Sequence, residues 1–592
     1  MNEELTGKIK AVVDSENLDA QISYFSNLLS VAREIGEEAT CAYLLPILAD
    51  IVPKLDDEVL AVVAESLAEL DLVVTQQHTH ALVPVIVALL ESEENAVKQR
   101  VVSSLEALIK ENSLSACFFS DIFAEIEKLF SSPYFTQKET ALLLVGPAYK
   151  KLQLPQKEKI RGRLLALAHD KNTIVKRTLG KTVTDIIPFL AQEDIEKTAL
   201  PVAAVLSEND QDVLRLASVN ILLAAIQNTK TPEAVKTAEQ IVERLRKDPS
   251  WRVRYQAAKR WDEYIGAFLE EGVLPAEKAH LVASFVSFSR DTETEVRVAA
   301  AGRLKNVALL CPPLLVCSEL VAVSKTLASD GMHVVRGEIA KSIGTLSLII
   351  GKEAAFQSLG AVFIQLLEDE YADVRLSLIA SLRELNGVFG LDAIEEHLLL
   401  ALDKLSKDKQ WRVRKETVDV VSVVLETCSR DYFEAKLNPF CMNWLLDPVH
   451  SVRASAVCCV KKLFETFGED WGIRVILPEI NSLTKNKIYS VRQSALYAYG
   501  KIKEAVSEKT AADLLFPMVA SSAYDTVPNV RLVAAKVLAC FGTRAGKAPS
   551  VQPELLRVLD FLSTDENIDV SLRAKEALRT VCSLSLSEKA SC

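Results

Sequence analysis

Apolar residues recur along the chain in stripes that have helical spacing. Val452, Ala456, Val460 and Leu463 are separated by steps of four, four and three residues, which places them on one face of a helix. Apolar runs that contain a proline precede such stripes, as in "YLLPILADIV" at 43–52. The pattern predicts pairs of helices, a helix A and a helix B, joined by a short turn.

Helix B opens on a motif that returns at a fixed interval. The stretches "DPSWRVRY" at 248–255 and "DKQWRVRK" at 408–415 share Asp, two variable residues and Trp-Arg-Val-Arg. Val-Arg pairs place an arginine every 39 residues from Arg297 to Arg531, after one step of 43 residues from Arg254. A period of this size, continued in both directions, predicts a solenoid of about 15 repeats. In order, the marked residues are Gln21, Leu60, Lys98, Gln137, Lys176, Arg215, Arg254, Arg297, Arg336, Arg375, Arg414, Arg453, Arg492, Arg531 and Ser571.

A small polar residue lies five positions before the marked valine or its equivalent in every repeat except the second, which has Lys54. Such side chains bond to nearby backbone in turns and cap helices, so a turn is predicted there, followed by helix B. We hypothesise that the marked basic residue pairs with the turn aspartate of an adjoining repeat. The turn residues are Asp170, Asp248, Asp291, Asp330, Asp369, Asp408, Asp447, Asp525, Asp565, Asn209, Asn486, Ser15, Ser92 and Ser131.

Six prolines occupy a second recurring position of the repeat, thirteen residues before the marked valine or its equivalent. Proline removes a helical hydrogen bond and clashes with the preceding turn, so a bend in helix A is predicted at this phase. These prolines are Pro46, Pro84, Pro201, Pro439, Pro478 and Pro517.

Composition and charge exclude several classes of function. The net charge of −12 does not favour nucleic-acid binding, and the apolar run "ALVPVIVALL" at 81–90 is roughly half of a membrane span. The start "MNEELTGKIK" does not resemble a secretory signal, and the 11 cysteines form no C-x-x-C pair, as in proteins with reduced thiols. We expect no membrane partner, and a protein of the cytoplasm that can also enter the nucleus.

No enzymatic constellation is found in the sequence. "LGKT" at 179–182 lacks the upstream glycine of a phosphate loop, because Val175 stands there. His78 and His80 have no cysteine or carboxylate at zinc spacing nearby. We therefore expect no enzyme, no metal and no cofactor.

The sequence pattern of a proline in helix A, an aspartate at the turn and a Val-Arg pair at the start of helix B resembles the HEAT repeat. More narrowly, the chain resembles the scaffolding A-type subunits of protein phosphatase 2A, most strongly from 248 to 471 and least before 150. Besides the two Trp-Arg stretches, the resemblance rests on "DEYADVRLSLIASL" (369–382), "KLNPFCMNWLLDPVHSVRASA" (436–456) and "KKLFETFGEDW" (461–471).

The resemblance implies a non-catalytic, hook- or horseshoe-shaped all-α solenoid that is continuous over 1–592. Repeats 11–15, at 390–592, would hold the phosphatase catalytic subunit. Repeats 1–8, at 1–310, would hold a regulatory B-type subunit, which gives a heterodimeric core and a heterotrimeric holoenzyme. The alternative is a nuclear-transport-type HEAT carrier, a class with less regular repeats.

Trp-Arg pairs at the turns suit binding hot spots, although packing against the next repeat is the other interpretation. By the resemblance, the residues expected to bind the catalytic subunit are Trp411, Arg412, Val449, His450, Tyr489, Val527 and Pro528. Those expected to bind the regulatory subunit are Asp56, Asp57, Glu58, Tyr134, Phe135, Lys176, Arg177, Trp251 and Arg252. Two departures weaken the second set: Tyr134-Phe135 stands where the family has Trp-Phe, and Thr173 replaces the proline of its turn.

The 43-residue step between repeats 7 and 8 contains "YIGAFLEEGVLPAEKAH" at 264–280. This step is either a hinge or a longer loop, and we predict a longer loop.

Overall fold

Helix pairs recur along the chain, as the sequence predicts. The computed structural model describes residues 2–15, 17–110, 114–269, 271–389, 402–425, 429–542 and 551–589. Within these ranges the chain contains no β-strand. It divides into two units, Met1–Glu271 with repeats 1–7 and Gly272–Cys592 with repeats 8–15. In each unit helix B of one repeat packs against helix B of the next, which confirms the all-α solenoid class.

The first unit contains seven described helix pairs. Its A segments are Asn2–Val13, Glu37–Ala39 with Thr40–Leu44 and Leu45–Ile51, Gln76–Leu82 with Val83–Leu90, Ala116–Phe130, Leu154–Leu167, Gln192–Asp194 with Ile195–Ala199 and Leu200–Ser207, and Pro232–Arg246. Its B segments are Leu18–Ser26 with Leu28–Ile35, Asp57–Ser66, Asn95–Lys110, Phe135–Ala148, Thr173–Ile186, Asp212–Asn228, and Trp251–Lys259 with Trp261–Gly266.

The second unit continues the same pattern. Its A segments are Ala276–Lys278 with His280–Phe288, Pro313–Leu315 with Val316–Leu320 and Val321–Ala328, Lys352–Leu367, residues 402–406, Arg430–Tyr432 with Phe433–Leu437 and Asn438–Trp444, Glu469–Val475 with Leu477–Leu483, Glu508–Thr510 with Ala511–Leu515 and Phe516–Ser521, and Gln552–Ser563. Its B segments are Thr294–Leu310, His333–Ile350, Ala372–Phe389, Trp411–Val424, His450–Phe467, Tyr489–Ile502, Pro528–Gly542 and Ile568–Lys589.

The predicted apolar stripe of repeat 12 faces the core. Val452, Ala456, Val460 and Leu463 are each at most 1% exposed. Burial of such stripes between stacked repeats supplies most of the free energy that favours folding.

Helix A is interrupted at the predicted prolines, and four of these interruptions have a common form. Pro46, Pro201, Pro439 and Pro517 are each the second residue of a helix that follows a five-residue π-helical turn. A wider turn accommodates the ring and the missing N–H of proline. The turn Val316–Leu320 has the same form although the next helix has an alanine as its second residue, so proline is not required for it.

The position predicted for the marked residue of repeat 4 is wrong. The marked residue is the fourth residue of helix B in other repeats, as Arg336 is in His333–Ile350. In Phe135–Ala148 that place belongs to Lys138, so Gln137 is not the equivalent residue. The turn residue shifts likewise from Ser131 to Ser132, whose Oγ accepts the N–H of Tyr134. The repeats on either side are unequal in length, and counting by 39 misplaces the residue because no Val-Arg pair marks it.

The long step between repeats 7 and 8 contains the predicted loop. A helix ends at Gly266, and the next helical segment starts at Ala276. The described residues between them include Glu271 and Gly272 at φ of 48° and 83°. Left-handed backbone of this kind is typical of turns and loops.

Candidate functional site

Every turn between helix A and helix B from repeat 3 onward has the same hydrogen-bonded frame. The side chain of the turn residue accepts the backbone N–H two residues later, as when Asp408 Oδ1 accepts from Gln410 at 2.8 Å. This bond closes the turn and starts helix B. We call the row of these turns in each unit its turn edge. The accepting residues are Ser92, Ser132, Asp170, Asn209, Asp248, Asp291, Asp330, Asp369, Asp408, Asp447, Asn486, Asp525 and Asp565.

In seven of the described repeats an arginine from helix B ties the turn to the turn of the next repeat. Arg414 donates from Nη1 to the carbonyl of Asp408 in its own turn at 2.7 Å. It also donates from Nε and Nη2 to both carboxylate oxygens of Asp447, in the following turn, at 2.7 and 3.0 Å. The two-pronged geometry matches guanidinium to carboxylate.

The hypothesis that a marked basic residue pairs with the turn aspartate of the adjoining repeat is therefore confirmed for seven arginines and for Lys138. We call the row of these arginine pairs the arginine ladder. Its Nε–Oδ2 distances are 2.5 to 2.7 Å, and the paired side chains are largely buried. Lys138 makes the corresponding bond to Asp170 at 2.8 Å. The arginine pairs are Arg215–Asp248 in the first unit, and Arg297–Asp330, Arg336–Asp369, Arg375–Asp408, Arg414–Asp447, Arg492–Asp525 and Arg531–Asp565 in the second.

The ladder shifts the acidity of its members. The hydrogen bond from Arg531 lowers the pKa of Asp565 below its ordinary value. At Asp330 burial alone would raise the pKa, but the bonds from Arg297 and from the backbone N–H of Met332 outweigh it, and the pKa is lowered. These carboxylates therefore stay ionised and hold the turns at neutral pH.

The second unit brings the residues predicted to bind the catalytic subunit onto its turn edge. Val449 and Val527 cap their helices and donate backbone N–H groups to Asp447 and Asp525 at 2.8 Å. Both valine side chains are half-buried. The B helices of repeats 11–14 begin at Trp411, His450, Tyr489 and Pro528. The first three of these side chains are exposed, and the proline is half-buried.

Trp411 and Arg412 form one exposed feature of this edge. The indole is 36% exposed, and the Arg412 guanidinium lies 5.7 Å from the ring centroid. A cation stacked on an aromatic ring leaves both groups available to a partner. The interpretation of Trp411 as wholly packed against the next repeat does not fit this exposure.

The first unit distributes the other predicted set over repeats 2, 4, 5 and 7. Asp56, Asp57 and Glu58 are exposed at the start of helix B in repeat 2. Tyr134 caps the helix of repeat 4 and is 68% exposed, and Phe135 follows at 42%.

The remaining members of this set are Trp251 and Arg252, at the start of their helix, and Lys176 and Arg177, further along theirs. Trp251 is half-buried and meets Tyr255 edge to face at 6.4 Å, while Arg252 lies over its ring at 5.1 Å. Lys176 and Arg177 are the fourth and fifth residues of Thr173–Ile186, so they lie one helical turn beyond the turn edge.

Sequence reasoning missed several exposed side chains on the second unit's turn edge, among them Met332 and Tyr371. Met332 and Tyr371 are each 43% exposed. The ring of Tyr371 stacks on His333 of the preceding repeat, with centroids 4.1 Å apart and planes at 8°. They belong to repeats 9 and 10, outside both predicted binding regions. Their signal in the sequence is a large apolar residue two positions after the turn aspartate.

No described part of the chain contains a group of three or more His, Cys, Asp or Glu side chains that could hold a metal ion. Among the helices that the structure describes, none is long and apolar enough to cross a membrane.

Similarity to known proteins supports the sequence prediction. The chain is 28% identical over 269 residues to the A-type regulatory subunit of protein phosphatase PP2A from Saccharomyces cerevisiae, covering 43% of this chain and 41% of the relative. It is 29% identical over 382 residues to the beta isoform of the human 65 kDa A-type regulatory subunit of serine/threonine-protein phosphatase 2A, covering 63% of this chain and 62% of the relative. The protein phosphatase 2A scaffold subunit of Dictyostelium discoideum is 30% identical over 188 residues, 32% of each chain. The match thus spans between about one third and two thirds of the length of these relatives.

Two further comparisons concern parts of the chain or its fold. Residues 278–468 match the family model described as PIK3R4-like, middle domain. The crystal structure of Kap121p bound to Nup53p aligns with 90% of this chain and 56% of that chain, at a TM-score of 0.60 and 15% identity. The Kap95p structure with RanGDP aligns with 84% of this chain and 66% of that chain, at 0.54 and 14%. These structures show that the fold is shared with karyopherins.

Proposed function

We propose that this chain, a sequence relative of the A-type regulatory subunits of phosphatase 2A, is a non-catalytic scaffold. The turns of repeats 11–15 hold a phosphatase 2A catalytic subunit, and the turns of repeats 1–8 hold a regulatory B-type subunit. The scaffold directs serine/threonine dephosphorylation by keeping a substrate-docking subunit close to the active site, which raises the effective concentration of substrate there. The observation that carries the proposal is the exposed Trp411–Arg412 pair on a turn whose backbone the ladder fixes.

The catalytic-subunit side has the features of a binding surface. Trp and Arg are the residue types that dominate hot spots, and Tyr489, 44% exposed, adds a second aromatic group two repeats away. The frame around them is rigid, because each turn is bonded to itself and most are bonded to their neighbours. A rigid surface loses little entropy on binding.

The regulatory side differs in chemistry. The carboxylates of Asp56, Asp57 and Glu58 form an acidic turn, while Tyr134 and Phe135 supply apolar surface two repeats later. A partner that fits both carries a basic patch and an apolar patch. Arg177 and Lys176 lie further into helix B, so they would contact the partner at a different depth from the turn residues.

The test is calorimetric titration of the full chain with a purified phosphatase 2A catalytic subunit. The Trp411→Ala, Arg412→Ala double variant is expected to lose about 2–4 kcal/mol of binding free energy. The matched control is Trp251→Ala, Arg252→Ala, which makes the same chemical change in the other unit. It should bind the catalytic subunit normally and weaken capture of a B-type subunit by the preformed pair.

Equal losses in both double variants would contradict the assignment of partners to the two sets. Absence of binding by the unaltered chain would overturn the scaffold proposal itself. The carrier alternative rests on the shared fold, and a carrier would instead retain a small GTPase such as the RanGDP named in the Kap95p structure.

A further inference from the structure

The B helices of repeats 12–15 line a half-open cavity of about 460 Å³, which extends from the start of these helices along their faces. Its apolar part includes Val457, Tyr497 and Val537, which come from three successive repeats. Its polar part is strongly biased towards cations, with Glu504 as the acidic lining residue, and that carboxylate already pairs with Lys461 and Lys501 at 2.7 and 2.9 Å. The basic lining residues are His450, Arg453, Lys501, Lys536 and Arg573.

Arg453 stands where the arginine ladder of the second unit is interrupted. The turn residue of the next repeat is Asn486, which closes its own turn as an aspartate would but carries no charge. Arg453 keeps the two bonds from Nη1 to the carbonyls of Asp447 and Pro448, at 2.7 and 3.0 Å. Within the described chain it has no carboxylate partner, although it is only 7% exposed. A buried guanidinium without a counter-charge is costly.

Two other cations of the cavity are also incompletely paired. The Lys536 ammonium makes no hydrogen bond or ion pair to any residue that the structure describes. Arg573 bonds from Nη1 to Glu576 at 2.5 Å, but its Nε is buried and has no acceptor among the described residues. The three positive groups come from repeats 12, 14 and 15 and line the same cavity as the apolar side chains.

We propose that this cavity binds an acidic peptide segment of a partner protein. An apolar side chain of the segment rests on Val457, Tyr497 and Val537, and carboxylates on either side reach Arg453, Lys536 and Arg573. Charge complementarity supports this occupant. The chain as a whole has a net charge of −12, so an acidic segment is attracted to this positive cavity and repelled by most of the remaining surface. A peptide fits better than a nucleic acid, whose binding depends on rows of phosphate contacts and needs no apolar floor.

The inference is independent of the scaffold proposal, since the cavity lies on helix faces and the phosphatase contacts are assigned to turns. His450 belongs to both regions and is therefore left unaltered in the test. The probe is a fluorescein-labelled hexapeptide in which two leucines are flanked on each side by two acidic residues. Its binding to the full chain is followed by fluorescence anisotropy, with no phosphatase subunit present.

Saturable binding that weakens as salt rises is the expected result. Lys536→Glu should weaken it by about tenfold or more. The control Lys509→Glu makes the same change at an exposed lysine outside the cavity and should leave the affinity unchanged. A peptide in which Asn and Gln replace the acidic residues should not bind.

Asn486→Asp gives the sharpest version of the test. It supplies Arg453 with an internal carboxylate and so competes with the peptide for the same guanidinium. The expected result is weaker peptide binding with an unchanged or raised thermal midpoint, which separates competition from misfolding. The proposal is overturned if Lys536→Glu behaves like Lys509→Glu, if the uncharged peptide binds equally well, or if single-stranded RNA displaces the peptide at lower concentration.

Discussion

The guanidinium of Arg375 donates from Nε and Nη2 to the two carboxylate oxygens of Asp408, at 2.7 and 3.0 Å, across 33 residues of chain. The Oδ1 atom that accepts from Nη2 also accepts the backbone N–H of Gln410 at 2.8 Å. One carboxylate oxygen thus joins two repeats and shapes the turn that presents Trp411.

Charge reversal of Arg375 should destabilise the second unit. Arg375→Glu places a carboxylate against Asp408 where both side chains are largely buried. We expect the free energy of unfolding to fall by about 3 kcal/mol, visible as a lower midpoint in differential scanning calorimetry. Arg557→Glu is the control, since Arg557 is 76% exposed and its pair with Glu554 contributes little. An unchanged midpoint for Arg375→Glu would mean that the ladder does not stabilise the repeats.

The ladder also predicts how stability depends on acid. Asp565 has a pKa lowered by its bond from Arg531, so its folded pKa lies below the unfolded value of about 4. Between the folded and the unfolded pKa, the unfolded chain binds more protons than the folded chain. The bond therefore contributes to the free energy of unfolding above about pH 4, and this contribution is lost as the pH falls through the folded pKa. The thermal midpoint should drop between about pH 5 and pH 3. Arg531→Gln should start lower at pH 5 and lose less on acidification, whereas parallel profiles would contradict this cause.

Gly344 permits the close approach of two helices. A Cβ atom there would stand 2.5 Å from the backbone oxygen of Ser381, in helix B of the next repeat. Gly344→Ala should therefore force the helices apart and cost about 1–3 kcal/mol in urea unfolding. Gly360→Ala, in a helix with no neighbouring atom within 4 Å of the new Cβ, should be neutral or stabilising by up to about 1 kcal/mol. Equal behaviour of the two variants would show that the contact at Gly344 relaxes freely.

A buried ion pair holds repeats 3 and 4 together in the first unit. Lys98 Nζ lies 2.7 Å from Glu139 Oε2, and Thr178 donates to the other carboxylate oxygen at 3.3 Å. Lys98→Met leaves the carboxylate buried without its partner and should cost about 3–5 kcal/mol. The double variant with Glu139→Leu should recover most of that loss in chemical unfolding. If the single variant were as stable as the unaltered chain, the ion pair would not hold these two repeats together.

The sequence predicted the helix pairs, the turns and the pairing of basic residues with turn aspartates because each depends on neighbours at a fixed spacing. It misplaced Lys138, since the stretch "FTQK" lacks a Val-Arg pair. The cavity of repeats 12–15 was missed for a different reason. Its cations are separated by roughly one or more periods, and stacking alone brings them together. Cys458, Tyr497 and Lys536 do share one phase of the 39-residue period, so a comparison of phases down the repeats could have found them.

The partners of the turn residues remain predictions, because exposure and residue type identify a surface and do not identify what covers it. Met332 and Tyr371 illustrate the point, since they are as exposed as Tyr489 and lie outside the regions predicted from the resemblance.

The shared carboxylate oxygen of each ladder aspartate has a consequence for protein engineering. The residues that determine the path of the backbone, such as Arg375 and Asp408, are separate from those that face solvent, such as Trp411 and Arg412. A library randomised at the solvent-facing turn positions of several repeats could therefore be screened for new specificities on an unchanged framework. Conversely, a substitution one repeat upstream of a binding residue can alter affinity without touching the ligand.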